Sequence, residues 1–182
     1  MKTIYIMLSK TESIFCSLIT SYTHEPYAHV SLLFDDNFSN GYSFSRKKIR
    51  NPFIGGFMNE NYPRWVAAFP KTECLMYTLD VTDESYHLLK QQIEDFKSEQ
   101  KKYKYNTLGV ISYMFNVKLH PKNSYFCSHF VSYILREAKA LYFDKDPFFT
   151  TAGDFRRHPD LHLIYEGYLN KLVDNPALAR AA

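Results

Sequence analysis

The stretch that most constrains this chain is NSYFCSHFVSYILREAKA, residues 123–140, because it joins a cysteine to a helix start and to a buried helix face. Counting at helical spacing from Cys127, Val131, Ile134 and Ala138 follow at i+4, i+7 and i+11, so the cysteine shares the apolar stripe by which this helix must pack. Asn123 and Ser124 are both good N-caps just upstream, which places Cys127 in the first turn. There the unpaired backbone N–H groups and the positive end of the macrodipole favour an anion, and a thiolate is one. The same N–H groups can later hold an oxyanion. A cysteine on an apolar stripe is ordinarily a small buried hydrophobe. The first-turn position is what separates Cys127 from that plainer reading.

The remainder of the chain bounds what such a cysteine can belong to. With 182 residues, a single domain over 1–173 is expected, followed by a disordered tail over 174–182 in which Leu178 is the one large apolar residue. Lys and Arg number 22 against 19 Asp and Glu, and this near balance provides no electrostatic footprint for nucleic acid. The densest basic run, Arg46, Lys47 and Lys48 with Arg50, reads as the solvated end of a hairpin. Three widely spaced cysteines, Cys16, Cys74 and Cys127, suit a reducing compartment better than a disulfide framework. The start, MKTIYIMLSKTESIF, is interrupted by Ser9, Lys10, Thr11 and Glu12 before a signal-peptide apolar region can form, and no apolar run reaches membrane-spanning length. The expectation is a cytoplasmic monomer with no membrane span, no nucleic-acid partner and no cofactor, acting on a small-molecule or peptide-like substrate. The 15 Tyr and 15 Phe supply core, and tyrosines also line grooves for bulky ligands.

Read in order, the chain predicts an α+β fold, a mostly antiparallel sheet packed against helices. Strands are expected over residues 3–8, 28–36, 42–47, 64–69, 75–81 and 161–165, the third pairing antiparallel with the second. Ser9 and Glu12 have capping-box spacing ahead of a helix with Ile14, Phe15, Leu18, Ile19 and Tyr22 on one face, which leaves Cys16 off that face and without a role. Thr82 caps a second helix whose buried stripe is Tyr86, Leu89, Ile93 and Phe96. A short helix is expected from Thr107 and another over 168–173; residues 51–62, with Pro52, Gly55 and Gly56, and residues 145–158 read as loops. No repeat and no phosphate-binding glycine loop occurs.

A nucleophilic cysteine needs a base, and the chain offers seven histidines. His129 lies two residues from Cys127 and so on another side of the helix, and His87 sits in an ordinary exposed helix. His29 opens the second strand, beside Tyr27, in the sheet against which the cysteine helix must pack. A histidine at a strand start can simply satisfy the backbone, but next to an inward-facing cysteine it completes the minimal unit for nucleophilic acyl chemistry. A metal site from Cys127, His29 and His24 lacks any short C-x-x-C or H-x-x-x-H spacing.

The histidine strand AHVSLLFDD, its partner YSFSRK and the late helix opening YFCSHFVSYIL together resemble the permuted NlpC/P60 (papain-like) cysteine hydrolases, in which the histidine strand precedes the nucleophile's helix. The resemblance runs from about Ile4 to Tyr168. It implies a small α+β, circularly permuted papain-like fold and a Cys–His site that cleaves or transfers acyl groups on amides or esters. A third polar residue is implied on the strand after the histidine. Strand pairing places that residue within 42–45, and Ser43 is the choice, where many relatives carry His, Glu or Asp. The resulting reading is a cysteine hydrolase cleaving an amide bond through an acyl-enzyme. Cys127 attacks, His29 is base then acid, and the Cys127 N–H with Tyr27 holds the oxyanion. The secretion signal of relatives that cut cell-wall peptides is missing, which argues against such a substrate. Two alternatives stay open: a thiol acyltransferase of the lecithin:retinol acyltransferase-like branch, and a non-catalytic binding module on the same fold. The segments 51–62 and 145–158, expected to flank the cleft, mix Phe with charge and favour hydrolysis of a small polar amide over transfer.

Overall fold

The structure, a computed structural model, describes residues 1–48 and 51–179, and for residues 14, 15, 48 and 51–53 the backbone alone. Its elements in chain order are β1 (Lys2–Lys10), α1 (Ile14–Thr23), β2 (His29–Leu33), β3 (Gly41–Lys48), β4 (Asn51–Asn59), α2 (Tyr62–Ala68), β5 (Glu73–Val81), α3 (Asp83–Ser98), β6 (Lys104–Tyr105), α4 (Thr107–Tyr113), β7 (Ser124–Tyr125), α5 (Cys127–Glu137), α6 (Ala152–Arg156), β8 (His162–Tyr168) and α7 (Leu169–Asp174). Six strands form one sheet in the order β4-β3-β2-β1-β5-β8, every pair antiparallel, while β6 and β7 make a separate two-residue parallel pair. The fold is thus α+β, with an antiparallel sheet packed against helices. Among the described residues no helix is long and apolar enough to cross a membrane.

The run TIYIMLS is apolar on both faces because β1 lies inside the sheet with helices on either side. Ile4, Ile6 and Leu8 point into the larger core, which α3 closes with Leu89, Ile93 and Phe96 and α5 with Phe130, Val131, Ile134 and Leu135. Met7 points the other way, toward Tyr62 of α2 and Leu169 and Leu172 of α7. At the centre of the larger core Phe44, Phe57, Phe96 and Phe130 meet with ring centroids 5.0 to 6.0 Å apart, in tilted and edge-on arrangements that aromatic quadrupoles favour. This cluster fixes the axis of α5, and with it Cys127, against β2 and β3.

Five expectations are corrected. Residues 145–158, expected as a loop, contain a 3-10 turn over Pro147–Phe149 and the helix α6, which Thr151 and Asp154 start with a capping box. Residues 64–69, expected as a strand, belong to α2: the Asn61 side chain accepts from the Arg64 N–H at 2.9 Å and Pro63 stands in the first turn, where its missing N–H costs nothing. Residues 51–59, expected as a loop, form the edge strand β4, a position that tolerates Pro52. Gly56 is required there by close approach, since a Cβ would stand 2.8 Å from the Tyr103 carbonyl oxygen. Helix α1 is capped by Ser13 rather than Ser9, because Ser9 is still in β1, paired with His29; the Ile14 and Phe15 side chains of its expected face lie outside the described residues. Part of the expected tail is built in: residues 176–179 form a 3-10 turn and bury Ala179 against the second core, while 180–182 lie outside the described residues.

Candidate active site

Cys127 is the first residue of α5, and it follows Phe126 in extended conformation with no side chain capping the helix. Neither expected cap serves. Asn123 turns the chain with φ 58°, and Ser124 is drawn into β7 opposite Lys104, where its hydroxyl donates to the Pro121 carbonyl. The free first turn leaves its N–H groups to the sulfur. Ser128 N–H and, from the adjoining strand, Val30 N–H both donate to Sγ, which also lies 3.6 Å from the Ala28 carbonyl oxygen.

His29, the first residue of β2, stands between that sulfur and a carboxylate. Its Nε2 is 2.8 Å from Glu60 Oε1, and with Nε2 so committed Nδ1 is the nitrogen left to hydrogen-bond the Cys127 thiol. Glu60 follows β4, where its N–H extends the ladder by donating to the Gly41 carbonyl at 2.7 Å. Its side chain is only 1 % exposed, and the second oxygen accepts from Trp65 Nε1 at 2.9 Å and Ser45 Oγ at 3.5 Å. A buried carboxylate held by three donors orients the imidazole and stabilises its charged form.

The electrostatics follow from this chain of contacts. Burial opposes charge on His29, but the hydrogen bond and charge of Cys127, and then those of Glu60, outweigh it and raise the ring to about 10. Burial likewise opposes the thiolate, yet His29 and the Val30 and Ser128 N–H groups together hold Cys127 below its ordinary value. The two shifts run in opposite directions, both toward the charged forms of thiol and imidazole. His29 keeps 27 % of its side-chain surface exposed, so a substrate can reach the pair.

Ser43 does not take the third position. Its hydroxyl donates to the Val30 carbonyl at 2.7 Å, fully buried. It is Ser45, not Ser43, that shares a cavity wall with His29 and touches Glu60. Tyr27 is buried in a wall beside the thiol, its hydroxyl pushed up to about 12 by burial and then by Glu166 and Glu73. His24 is the left-handed C-cap of α1, and among the described residues no group of three His, Cys, Asp or Glu is placed to hold a metal ion. His129 is buried among His120, Tyr125, Phe126 and Phe148, where burial and then His120 push it down to about 3.

The thiol lies between two cavities. One, of about 660 Å³ and open to solvent, is bounded by His29, Glu60, Ser45, Arg46, Trp65 and Cys16. The other, of about 520 Å³ with its open mouth included, is likewise open to solvent and is bounded by Tyr27, Val110, Tyr113, Phe126 and Thr151 among others. Cys16, expected to be idle, is therefore a wall residue, 7 % exposed. Arg46, expected at a solvated hairpin end, lies inside the first cavity, with its guanidinium 5.6 Å from the Trp65 ring centroid and donating to Ser13 Oγ at 3.2 Å. Arg50 of that basic run lies outside the described residues. Glu60 and Trp65 were missed because both fell in misassigned segments. The signal that could have found them is Asn61 with Pro63, which marks a helix start and turns the preceding glutamate into a strand-end residue.

The chain matches no protein-family model, no curated protein sequence and no solved structure.

Proposed function

We propose that the protein is a cysteine hydrolase that cleaves an amide or related acyl bond through a covalent acyl-enzyme, on a circularly permuted papain-like fold of the NlpC/P60 kind. The observation that carries this reading is His29 bridging the Cys127 thiol and the buried Glu60 carboxylate. Cys127 Sγ attacks the carbonyl carbon, forming a C–S bond while the oxygen becomes an oxyanion held by N–H groups at the start of α5. The thiol proton, already on His29, passes to the leaving nitrogen as the C–N bond breaks. Water then attacks the thioester and gives a proton to His29. The C–S bond breaks, the acid departs, and the thiolate–imidazolium pair is restored. Glu60 holds the imidazole in place and bears on its charge, which supplies the anionic third residue that a serine at position 43 lacked.

A transferase would share every step up to the thioester and differ only in its acceptor. The test is incubation with a panel of activated acyl esters and peptide anilides, with and without amines, followed by intact mass and product analysis. Acylation at Cys127, absent in Cys127→Ser, with free acid as the main product is the expected result. Acyl transfer to an amine faster than acid release would make the protein a transferase. No adduct and no turnover across the panel would overturn the enzymatic reading.

A further inference from the structure

We infer that the second cavity is the acyl subsite, built for an apolar acyl group, and that the leaving group departs through the first. This rests on the proposed acyl-enzyme chemistry and deepens it. The geometric argument is an asymmetry: Cys127 borders both cavities, whereas His29 borders only the first. In the first half-reaction a C–S bond forms, the bond from carbon to the leaving heteroatom breaks, and that heteroatom takes the proton from His29. It must therefore sit on the His29 side. The substituent remaining on the acyl carbon is then directed to the opposite side of the sulfur, into the cavity walled by Tyr27, Val110, Tyr113 and Phe126.

Apart from the hydroxyls of Tyr27, Tyr105 and Tyr113, the chemistry of that second wall favours an apolar acyl group over a polar one. Its hydrogen-bonding side chains are turned into the protein: Thr23 Oγ1 donates to the Ile19 carbonyl at 2.9 Å, Ser128 Oγ to the Thr150 carbonyl at 2.7 Å, and Thr151 Oγ1 to Asp154 at 2.8 Å. The Glu25 carboxylate, 11 % exposed, is neutralised by Arg156 at 3.1 Å and by Arg157. A polar acyl group entering here would leave water for a wall whose Thr, Ser and Glu side chains are already engaged, while an apolar one displaces water at no such loss. The two helices that line the cavity, α1 and α4, also carry the exposed apolar side chains Leu18 and Ile111, and Phe115 follows just after α4. The first cavity, which holds the half-buried Arg46 guanidinium and the His29–Glu60 pair, is the more polar of the two and suits a polar leaving group instead.

The test holds the leaving group constant and varies the acyl chain. Second-order acylation of Cys127 by p-nitrophenyl acetate, butyrate, hexanoate and octanoate is followed by nitrophenolate burst and intact mass. The rate is expected to rise, by up to about fourfold for each methylene buried, until the cavity is full. Val110→Trp and the half-buried Met114→Trp fill the cavity from two positions on α4 and its end, and either should collapse the hexanoyl-to-acetyl ratio toward one. Trp65→Phe, in the first cavity, should alter all esters alike and keep the ratio. Circular dichroism and iodoacetamide labelling of Cys127 establish that each variant is folded. Acylation with no chain-length preference, or a ratio that responds to Trp65 and not to Val110 or Met114, would overturn the subsite assignment and leave the hydrolase reading standing. Absence of acylation by every ester would overturn both.

Discussion

His29 Nε2 and Glu60 Oε1 lie 2.8 Å apart across three strands of the sheet, though 31 positions separate them in the chain. Glu60 is the buried member, and Trp65 Nε1 at 2.9 Å holds its other oxygen. The imidazole is therefore positioned from the sheet edge, by the corner where β4 ends and α2 begins, and the cysteine reaches it from the opposite side on α5. A carboxylate in that place acts on the thiol only through His29, so its removal should weaken the pair without touching the sulfur.

Glu60→Gln preserves the shape and can still accept from Trp65, but it removes the charge facing Nε2. Turnover of an activated ester is expected to fall by about a hundredfold or more, as for a mispositioned imidazole in a triad. Ser43→Ala should instead cost about 1 kcal/mol of stability through its lost bond to the Val30 carbonyl, with little change in turnover. Steady-state kinetics and urea unfolding of the two variants separate these outcomes. Equal losses of activity would reinstate Ser43.

The lowered Cys127 value makes that thiol the reactive one at neutral pH, whereas burial pushes Cys74 up to about 12. Iodoacetamide at pH 6 should label Cys127 first, read by peptide mass. His29→Ala removes the principal force opposing burial, and labelling at pH 6 is expected to slow by about tenfold or more. Labelling of Cys74 ahead of Cys127 would contradict the pairing.

The pair also links stability to pH, with a sign for each partner. His29 is raised from 6.5 to about 10, so its contribution is complete below 6.5 and is lost as pH rises through about 10. Cys127 is lowered from 9.0, so its contribution is complete above 9.0 and is lost as pH falls through the depressed value. Between 6.5 and 9.0 the fall of the His29 contribution is offset by the rise of the Cys127 contribution, so their sum is largest there and declines on either side. The melting-temperature difference between wild type and Cys127→Ser should be widest in that window and shrink at pH 5 and at about pH 10.5, each kcal/mol corresponding to about 2–4 °C. A difference constant across pH would mean that the pair is not charged.

Phe130 is fully buried on α5 between Phe44, Phe57 and Phe96. Phe130→Ala should cost about 3–5 kcal/mol by denaturant unfolding. Because the same contact seats the helix that carries Cys127, iodoacetamide labelling at pH 6 should also slow in the fraction that remains folded. A loss below about 1 kcal/mol would mean that α5 is held by other contacts.

Much of the scaffold was legible in the chain because its signals are local. The apolar stripe from Cys127 through Val131, Ile134 and Ala138 specified a helix and its buried face, and the period-two pattern of residues 75–81 specified β5. Thr82 with Asp83 and Glu84 specified the start of α3, where Thr82 accepts from the Ser85 N–H as its type predicts. These features depend on neighbours within a few positions, so they survive without knowledge of the fold. The same holds for the placement of Cys127 at a helix start and His29 at a strand start.

What the chain could not state is which strand follows which across the sheet and at what register, since pairing is decided by the summed burial of both faces. That pairing brings Glu60 to the ring, puts Ser45 against Glu60 and leaves Ser43 bonded to backbone. It also places β4 at an edge, where proline and paired glycines read locally as a loop but are tolerated in a strand. The sequence by itself determined that Cys127 opens a helix with a buried face and that His29 opens a strand. Only the tertiary structure decided the carboxylate that holds the His29 ring and the two cavities beside the thiol, because each is assembled from segments whose proximity comes from long-range packing.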